Sequence, residues 1–288
     1  YSLKSILNQA GYKCNLYTSP HLQSFAERFG AAGMKLALAD VEVPVLEETV
    51  ANLESSGIEV LGIPCDVSNP EDVNNFAETV ISQFGAAHVL CLNAGVASGG
   101  TIVESSLEQW KWVLGVNLYG IIHGLNAFLP GLVKQDEGHV VMTASVAGHT
   151  SFANLGPYSA SKHATVTIAE TLFAEMRDAG SNVGVSCLCP GFVSTNIFTS
   201  ERNQPEGMKS SLAEPPSDED VSQREAMIEW LRANALKPDV VADLVHDAVT
   251  ENKFWIFTDE THIPAITARH REIQERRPPS AETIFEEI

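Results

Sequence analysis

Five short apolar runs, at 35–39, 58–64, 88–92, 138–144 and 183–189, recur along the chain with stretches of helical period between them. Each run is nearly continuous in apolar residues rather than alternating with polar ones, which is the pattern of a strand buried on both faces. Strands of that kind are parallel, their crossovers are helical and right-handed, and the fold class they predict is α/β with one doubly wound parallel sheet. The helices fall at 22–32, 44–56, 70–84, 106–134 with a break, 156–179, 219–234, 239–251 and 261–276, and a sixth strand at 254–257. Upstream, Gly11 suits the residue after a helix over 3–10, and residues 12–17 read as a strand. Lys13 and Asn15 are poor residues for the middle of a buried parallel sheet. No internal repeat is visible, and 288 residues bury a large core, so residues 1–288 are read as a single domain.

Within the helix expected at 156–179, Tyr158 and Lys162 stand one turn apart on one face. An ammonium beside a phenol favours the tyrosinate and lowers the phenol from its ordinary value of about 10. That makes Tyr158 a usable general acid and base. Ser145 follows the apolar run 138–144, at the carboxyl end of a strand, where catalytic groups of open α/β sheets collect. A hydroxyl there holds a substrate oxygen while Tyr158 moves its proton. Taken alone, a Tyr-x-x-x-Lys pair is a weak motif and suits an ordinary solvated helix equally well.

Three further segments stand in a fixed order around this pair: Asn93-Ala94-Gly95 after Val89-Leu90-Cys91-Leu92, Asn117 within Val116-Asn117-Leu118-Tyr119-Gly120, and Pro190-Gly191-Phe192-Val193-Ser194-Thr195. Over residues 24–260 the chain resembles the short-chain dehydrogenase/reductase family. The resemblance implies a Rossmann-like fold and NAD(P)-dependent interconversion of an alcohol and a ketone or aldehyde. Asn117, Ser145, Tyr158 and Lys162 match the catalytic positions. In the family the Asn supports a water and proton relay to the Lys, the Ser positions the carbonyl, the Tyr is the acid and base, and the Lys also contacts the nicotinamide ribose. The positions matching cofactor contacts are Asp66, Val67, Asn93, Ala94, Gly95, Tyr158, Lys162, Pro190, Gly191, Val193 and Thr195. Asp40 ends the run Lys35-Leu36-Ala37-Leu38-Ala39 where dinucleotide folds place the acid that takes the adenosine ribose hydroxyls. Val41 and Glu42 follow it with no Arg or Lys for a 2′-phosphate, which favours NAD, with NADP the alternative. Asp40 as a mere helix cap is the plainer reading.

One family feature is missing. A Gly-rich turn normally joins the first strand to the first helix and lets a pyrophosphate approach the helix N-terminus. Aligned backward from Phe25-Ala26-Glu27-Arg28-Phe29-Gly30, its three glycines fall on Leu16, Pro20 and Leu22, and Pro20 also lacks a donor. Residues 5–22, which end in Thr18-Ser19-Pro20-His21-Leu22, resemble a segment of folylpolyglutamate synthase and the Mur-type ligases, without their P-loop. The chain begins at Tyr1 rather than Met, and residues 1–23 read as an atypical N-terminal segment from another gene context. A cofactor-poor binding or scaffold protein, or a chimera with impaired activity, is therefore the alternative function, and a ligase remnant a distant third.

The remaining residues refine this picture. A net charge of −19 disfavours a phosphate backbone as partner, so no nucleic acid is expected. Cys14, Cys65, Cys91, Cys187 and Cys189 are scattered, without metal-ligand spacing; Cys187 and Cys189 would share one strand face. No uninterrupted apolar stretch approaches about 20 residues and no leader pattern opens the chain, so a cytoplasmic protein without a membrane contact is expected. Residues 192–220, rich in polar residues and Pro, resemble the family's substrate lid, with Phe192, Ile197 and Phe198 either lining an apolar pocket or packing in the core. His149 is a candidate substrate contact, and His163 is read as structural. The tail 259–288 is charged and solvated. The family resemblance implies a homodimer or homotetramer through the helices near 106–134 and 156–179, and a small-molecule alcohol or carbonyl substrate whose identity the sequence does not give.

Overall fold

The computed structural model describes residues 13–17, 22–205, 208, 222, 226, 228–230 and 233–280. The helix expected over 3–10, the turn positions 18–21 with Pro20, most of 206–232 and the end of the tail lie outside them. Seven parallel strands form one sheet: β1 Lys13–Tyr17, β2 Lys35–Asp40, β3 Val60–Pro64, β4 Val89–Leu92, β5 Gly138–Thr143, β6 Val183–Cys189 and β7 Trp255–Phe257, in the order β3-β2-β1-β4-β5-β6-β7. The atypical segment thus supplies the central strand. β1 pairs with β2 from Lys13↔Lys35 to Tyr17↔Ala39 and with β4 from Cys14↔Val89 to Tyr17↔Leu92. The order reverses between β1 and β4, which opens a crevice at their carboxyl ends.

The helices are α1 Leu22–Ala31, α2 Val43–Ser55, α3 Pro70–Phe84, α4 Leu107–Leu114, α5 Gly120–Gln135, α6 Gly156–Ala179, α7 Pro238–Glu251 and α8 Ile263–Glu275. Helical residues 222, 226, 228–230, 233 and 234 fall within the helix expected at 219–234. Local chemistry sets several ends. The Asn69 side chain accepts from the Glu71 N–H ahead of α3, with Pro70 in the first turn. Ser106 and Gln109 make a capping box at α4. Gly180, at φ 66°, closes α6 in the left-handed conformation that glycine takes without strain.

Consecutive strand residues are buried on opposite faces of the sheet. Leu90, Leu92, Val140, Met142, Val185 and Cys187 pack with Phe76, Phe128 and Val166 of α3, α5 and α6. Leu36, Leu38, Val89, Cys91, Val141 and Leu188 pack with Phe29, Leu46 and Val245 of α1, α2 and α7. This double cover explains why the strand segments read as continuous apolar runs.

The break expected inside 106–134 is a single π-helical turn, Gly115–Tyr119, so Leu107–Gln135 is one uninterrupted helical run. By length and composition alone that run is sufficient to cross a membrane, unlike any stretch picked out from apolar continuity. Its buried residues Trp112, Val113, Asn117, Ile121, Phe128 and Leu132 are, however, covered within the fold.

His139, fully buried in β5, contacts the Ser186 hydroxyl at 2.7 Å through Nε2, and Ser186 donates to the Lys253 carbonyl at 2.6 Å. Burial pushes the imidazole down from 6.5 to about 4. The unfolded chain therefore binds the extra proton first, and stability present above pH 6.5 is lost as pH falls toward 4. Urea unfolding should show a His139 contribution to that loss of about 3 kcal/mol between those limits, missing in His139→Gln.

Candidate active site

The π turn Gly115–Tyr119 adds one residue to its helix, and the only one of its residues fully turned inward is Asn117, with no exposed surface. Its Oδ1 accepts from Val96 N at 2.8 Å, and its Nδ2 donates to Val96 O at 2.9 Å and to Ser161 Oγ at 3.1 Å. One carboxamide thereby ties the segment after β4 to the first turns of α6. Ser161 in turn donates to Tyr158 O at 2.6 Å.

Tyr158, Ser161, Lys162 and Thr165 occupy one face of α6 at helical spacing. Lys162, 2% exposed, reaches to the end of β5, where Nζ donates to Thr143 O at 2.9 Å and lies 5.6 Å from the centre of the Tyr158 ring. Ser145, next after β5 and Ala144, holds the short turn Val146–Gly148 by accepting from Ala147 N at 3.1 Å, and donates weakly to Pro190 O at 3.4 Å. Its hydroxyl also stands near the Tyr158 phenol and favours the ionised form. The quartet expected from the sequence is thus one cluster at the carboxyl ends of β4 and β5.

The electrostatics differ from the expectation that Lys162 lowers Tyr158. Burial dominates and pushes the phenol up, and the opposing effect is that of the neighbouring Ser145 hydroxyl. Burial likewise pushes the Lys162 ammonium down to about 8, against the pull of Cys187 and Cys189. Near pH 7 the phenol is therefore neutral, while Lys162 still carries its proton.

The cofactor-type positions line the same edge of the sheet. Asp40, at the end of β2, is 6% exposed; burial pushes its carboxyl up to about 6, resisted by the Glu42 N–H bonded to Oδ1 at 2.9 Å. Asp66 accepts from the N–H and hydroxyl of Ser68 at 2.9 and 2.7 Å, and Val67 is buried with its carbonyl 2.9 Å from His123 Nδ1. Asn93 accepts from the Thr143 hydroxyl at 2.8 Å, and Ala94 packs against the core. At Gly95 an added Cβ would lie 3.6 Å from Lys162 Nζ and 3.7 Å from Asn117 Oδ1, in ordinary contact with both, which places Gly95 directly beside the two.

On the far side, Pro190 O accepts from Val146 N at 3.0 Å, Gly191 N donates to Thr258 Oγ1 at 3.0 Å, and Val193 bridges to Leu236. Thr195 Oγ1 accepts from Ile197 N at 3.1 Å at the start of the helical turns Asn196–Asn203. Of the turn positions, Leu16 lies inside β1 and Leu22 begins α1.

A buried carboxyl beside the crevice at one end, and an ammonium, a phenol and a hydroxyl at the other, are the donor and acceptor set that suits a nicotinamide dinucleotide. The described residues fit that group, with the pyrophosphate turn outside them. Over residues 23–206 the sequence matches the family model described as short chain dehydrogenase.

The chain belongs to the short-chain dehydrogenase family.

Its similarities to individual members span most of its length. It is 28% identical over 252 residues to a CLA biosynthesis dehydrogenase/reductase of Lactiplantibacillus plantarum, covering 87% of this chain and 88% of that one. It is 32% identical over 233 residues to a C alpha-dehydrogenase of a Sphingobium strain, covering 80% and 74%. Among solved structures, a short-chain dehydrogenase/reductase from Burkholderia phymatum in complex with NAD superposes with a TM-score of 0.88 at 38% identity, covering 94% of this chain and 97% of that one. These similarities do not show the ligase resemblance of residues 1–23.

The other residues singled out take these places. His149 is half-buried: Nε2 is 3.3 Å from Cys189 Sγ, and its ring packs 5.3 Å from Trp255 and 5.5 Å from Phe257. His163 takes a structural place, with Nδ1 2.9 Å from Ser159 O. The thiols of Cys187 and Cys189 share one face at 3.7 Å. Phe192 and Phe198 come together at 6.4 Å, and Phe192 also meets His262 at 6.2 Å. Ser161 was legible as the i+3 member of the Tyr158 face. Thr143 contributes through its backbone carbonyl, which no side-chain motif announces.

Asn117→Leu leaves both Val96 groups buried without partners. The substitution should destabilise the fold by about 2 kcal/mol or more in chemical denaturation, with Asn117→Ser intermediate.

Proposed function

We propose that this short-chain dehydrogenase interconverts a small alcohol and its ketone or aldehyde with NAD, NADP being the alternative, and with Tyr158 as general acid and base. What carries the reading is the cluster that sets the Tyr158 phenol beside the Ser145 hydroxyl, with Lys162 and Asn117 behind it. Asp40 would hold the adenosine ribose, with Asp66 and Val67 beside the adenine, Asn93, Ala94 and Gly95 along the crevice floor, and Pro190, Gly191, Val193 and Thr195 on its far wall. A bound nicotinamide supplies or accepts the hydride.

The chain's own groups handle the oxygen and its proton. Ser145 Oγ orients the substrate oxygen next to the phenol. In the reducing direction Tyr158 Oη gives its proton to that oxygen, and in the oxidising direction it takes the proton back. The buried Lys162 ammonium stabilises the phenolate left behind, because a positive charge acts strongly where water is excluded. Asn117 holds Ser161 and the segment after β4 in register. Residues 192–220 act as a substrate lid, with Phe192, Ile197 and Phe198 on its apolar side. Exposed Val133 and Phe173 on α5 and α6 support a homodimer or homotetramer through those helices.

Titration with NADH and NADPH, followed by nicotinamide fluorescence, tests the cofactor directly. No binding of NADH or of NADPH at millimolar concentration would overturn the enzymatic reading in favour of a scaffold protein. Against a panel of secondary alcohols and of steroid, sugar and acyl ketones, Tyr158→Phe should lower kcat by about 10²–10⁴-fold while NADH binding changes little. Ketone reduction by the wild type should also decline as pH rises past about 8, since the Lys162 ammonium that stabilises the phenolate is lost there while the Tyr158 proton is still held.

A further inference from the structure

The helical turns Asn196–Asn203 are fastened at two points that the activity above does not use. Ser200, 3% exposed, accepts from Ala97 N at 2.9 Å and donates to Ala97 O at 3.0 Å, which binds the segment to the loop beyond β4. Two residues on, the Arg202 guanidinium grips the Glu42 carboxylate with two prongs, Nη2 to Oε1 and Nε to Oε2, the latter at 3.3 Å. Asn203 Nδ2 donates to the same Oε1 at 2.7 Å. The remaining Arg202 nitrogen, Nη1, turns back to the carbonyls of Asn196 and Thr199, each at 2.9 Å.

Glu42 stands two residues beyond the end of β2, and Ala97 five beyond the end of β4. These strands flank β1 on its two sides, so a segment tied to both spans the carboxyl end of β1, the point where the sheet order reverses. The latch also fixes charge. Arg202 is engaged on every nitrogen, and Glu42 adds a second carboxylate beside Asp40, to which its own N–H is bonded.

We propose that Glu42, Arg202 and Asn203 form a latch that closes residues 196–203 over the crevice and selects an unphosphorylated adenosine ribose. A 2′-phosphate arriving beside Asp40 meets the Glu42 carboxylate and finds the nearby guanidinium already taken. Arg202 acts on cofactor choice through Glu42, as a positioning residue. This inference rests on the proposed dinucleotide chemistry for the ribose preference, and on the hydrogen bonds alone for the closure.

The test compares wild type, Glu42→Gln and Arg202→Ala by hydrogen exchange over 196–203 without added cofactor, and by titration with NADH and NADPH. Both variants should exchange faster by about tenfold or more, since each loses charge-assisted hydrogen bonds. Glu42→Gln, which frees the guanidinium, should shift preference toward NADPH by about tenfold or more. Arg202→Ala should open the segment without that shift, a difference that general loosening would not produce. Unchanged exchange in both variants overturns the latch. An unmoved NADH to NADPH preference in Glu42→Gln, with NADH still bound, overturns the selectivity. A wild type that binds neither nucleotide overturns the proposed function and the selectivity together, while exchange still decides the closure.

Discussion

The buried carboxamide of Asn117 is the contact on which the site depends. Its donor and acceptor satisfy both backbone groups of Val96, and its second donor reaches Ser161. Without it, the loop after β4 and the start of α6 lose the tie that joins them beside Gly95 and Tyr158, the Gly100–Leu155 bridge lying further along the loop. The π turn exists at a cost in helix regularity, and the inward aim of Asn117 is what it provides. A buried amide with all these partners made is inexpensive, whereas the same groups left unpaired are not.

Around that contact the sheet sets a division of labour. Both faces are closed by helices, so polar side chains gather where the strands end. Asp40, Asn93, Ser145 and Thr195 all stand just past or at a carboxyl strand end, and Lys162 reaches such an end from a helix. The cost of burying the Lys162 ammonium is offset in part by Thr143 O, which accepts from it, and what remains pulls its pKa down to about 8. His139 is the counterpart inside the sheet, a neutral imidazole bonded to Ser186.

Much of this was legible from the residues. Double-sided burial makes each strand a continuous apolar run, and a run of that kind is visible in one dimension. The helix face of Tyr158 and Lys162 follows from spacing, and the order of the Asn-Ala-Gly, Asn, Ser, Tyr-Lys and Pro-Gly segments led to the family. β1 was the harder case, because Lys13 and Asn15 argued against a central strand. Its place between β2 and β4 is decided by pairing with both neighbours, a contribution of backbone hydrogen bonds that side-chain pattern does not record.

By itself, the sequence determined the α/β class and the order of strands and helices, and it named four residues that the fold brings into one cluster, since period and spacing are local properties of the chain. Only the tertiary structure decided that burial, rather than the lysine, governs the Tyr158 phenol, that His149 packs against Trp255, Phe257 and Cys189, and that Arg202 grips Glu42. Each of these depends on groups far apart in sequence meeting in space, and on how much water remains where they meet. Spacing along the chain carries neither quantity.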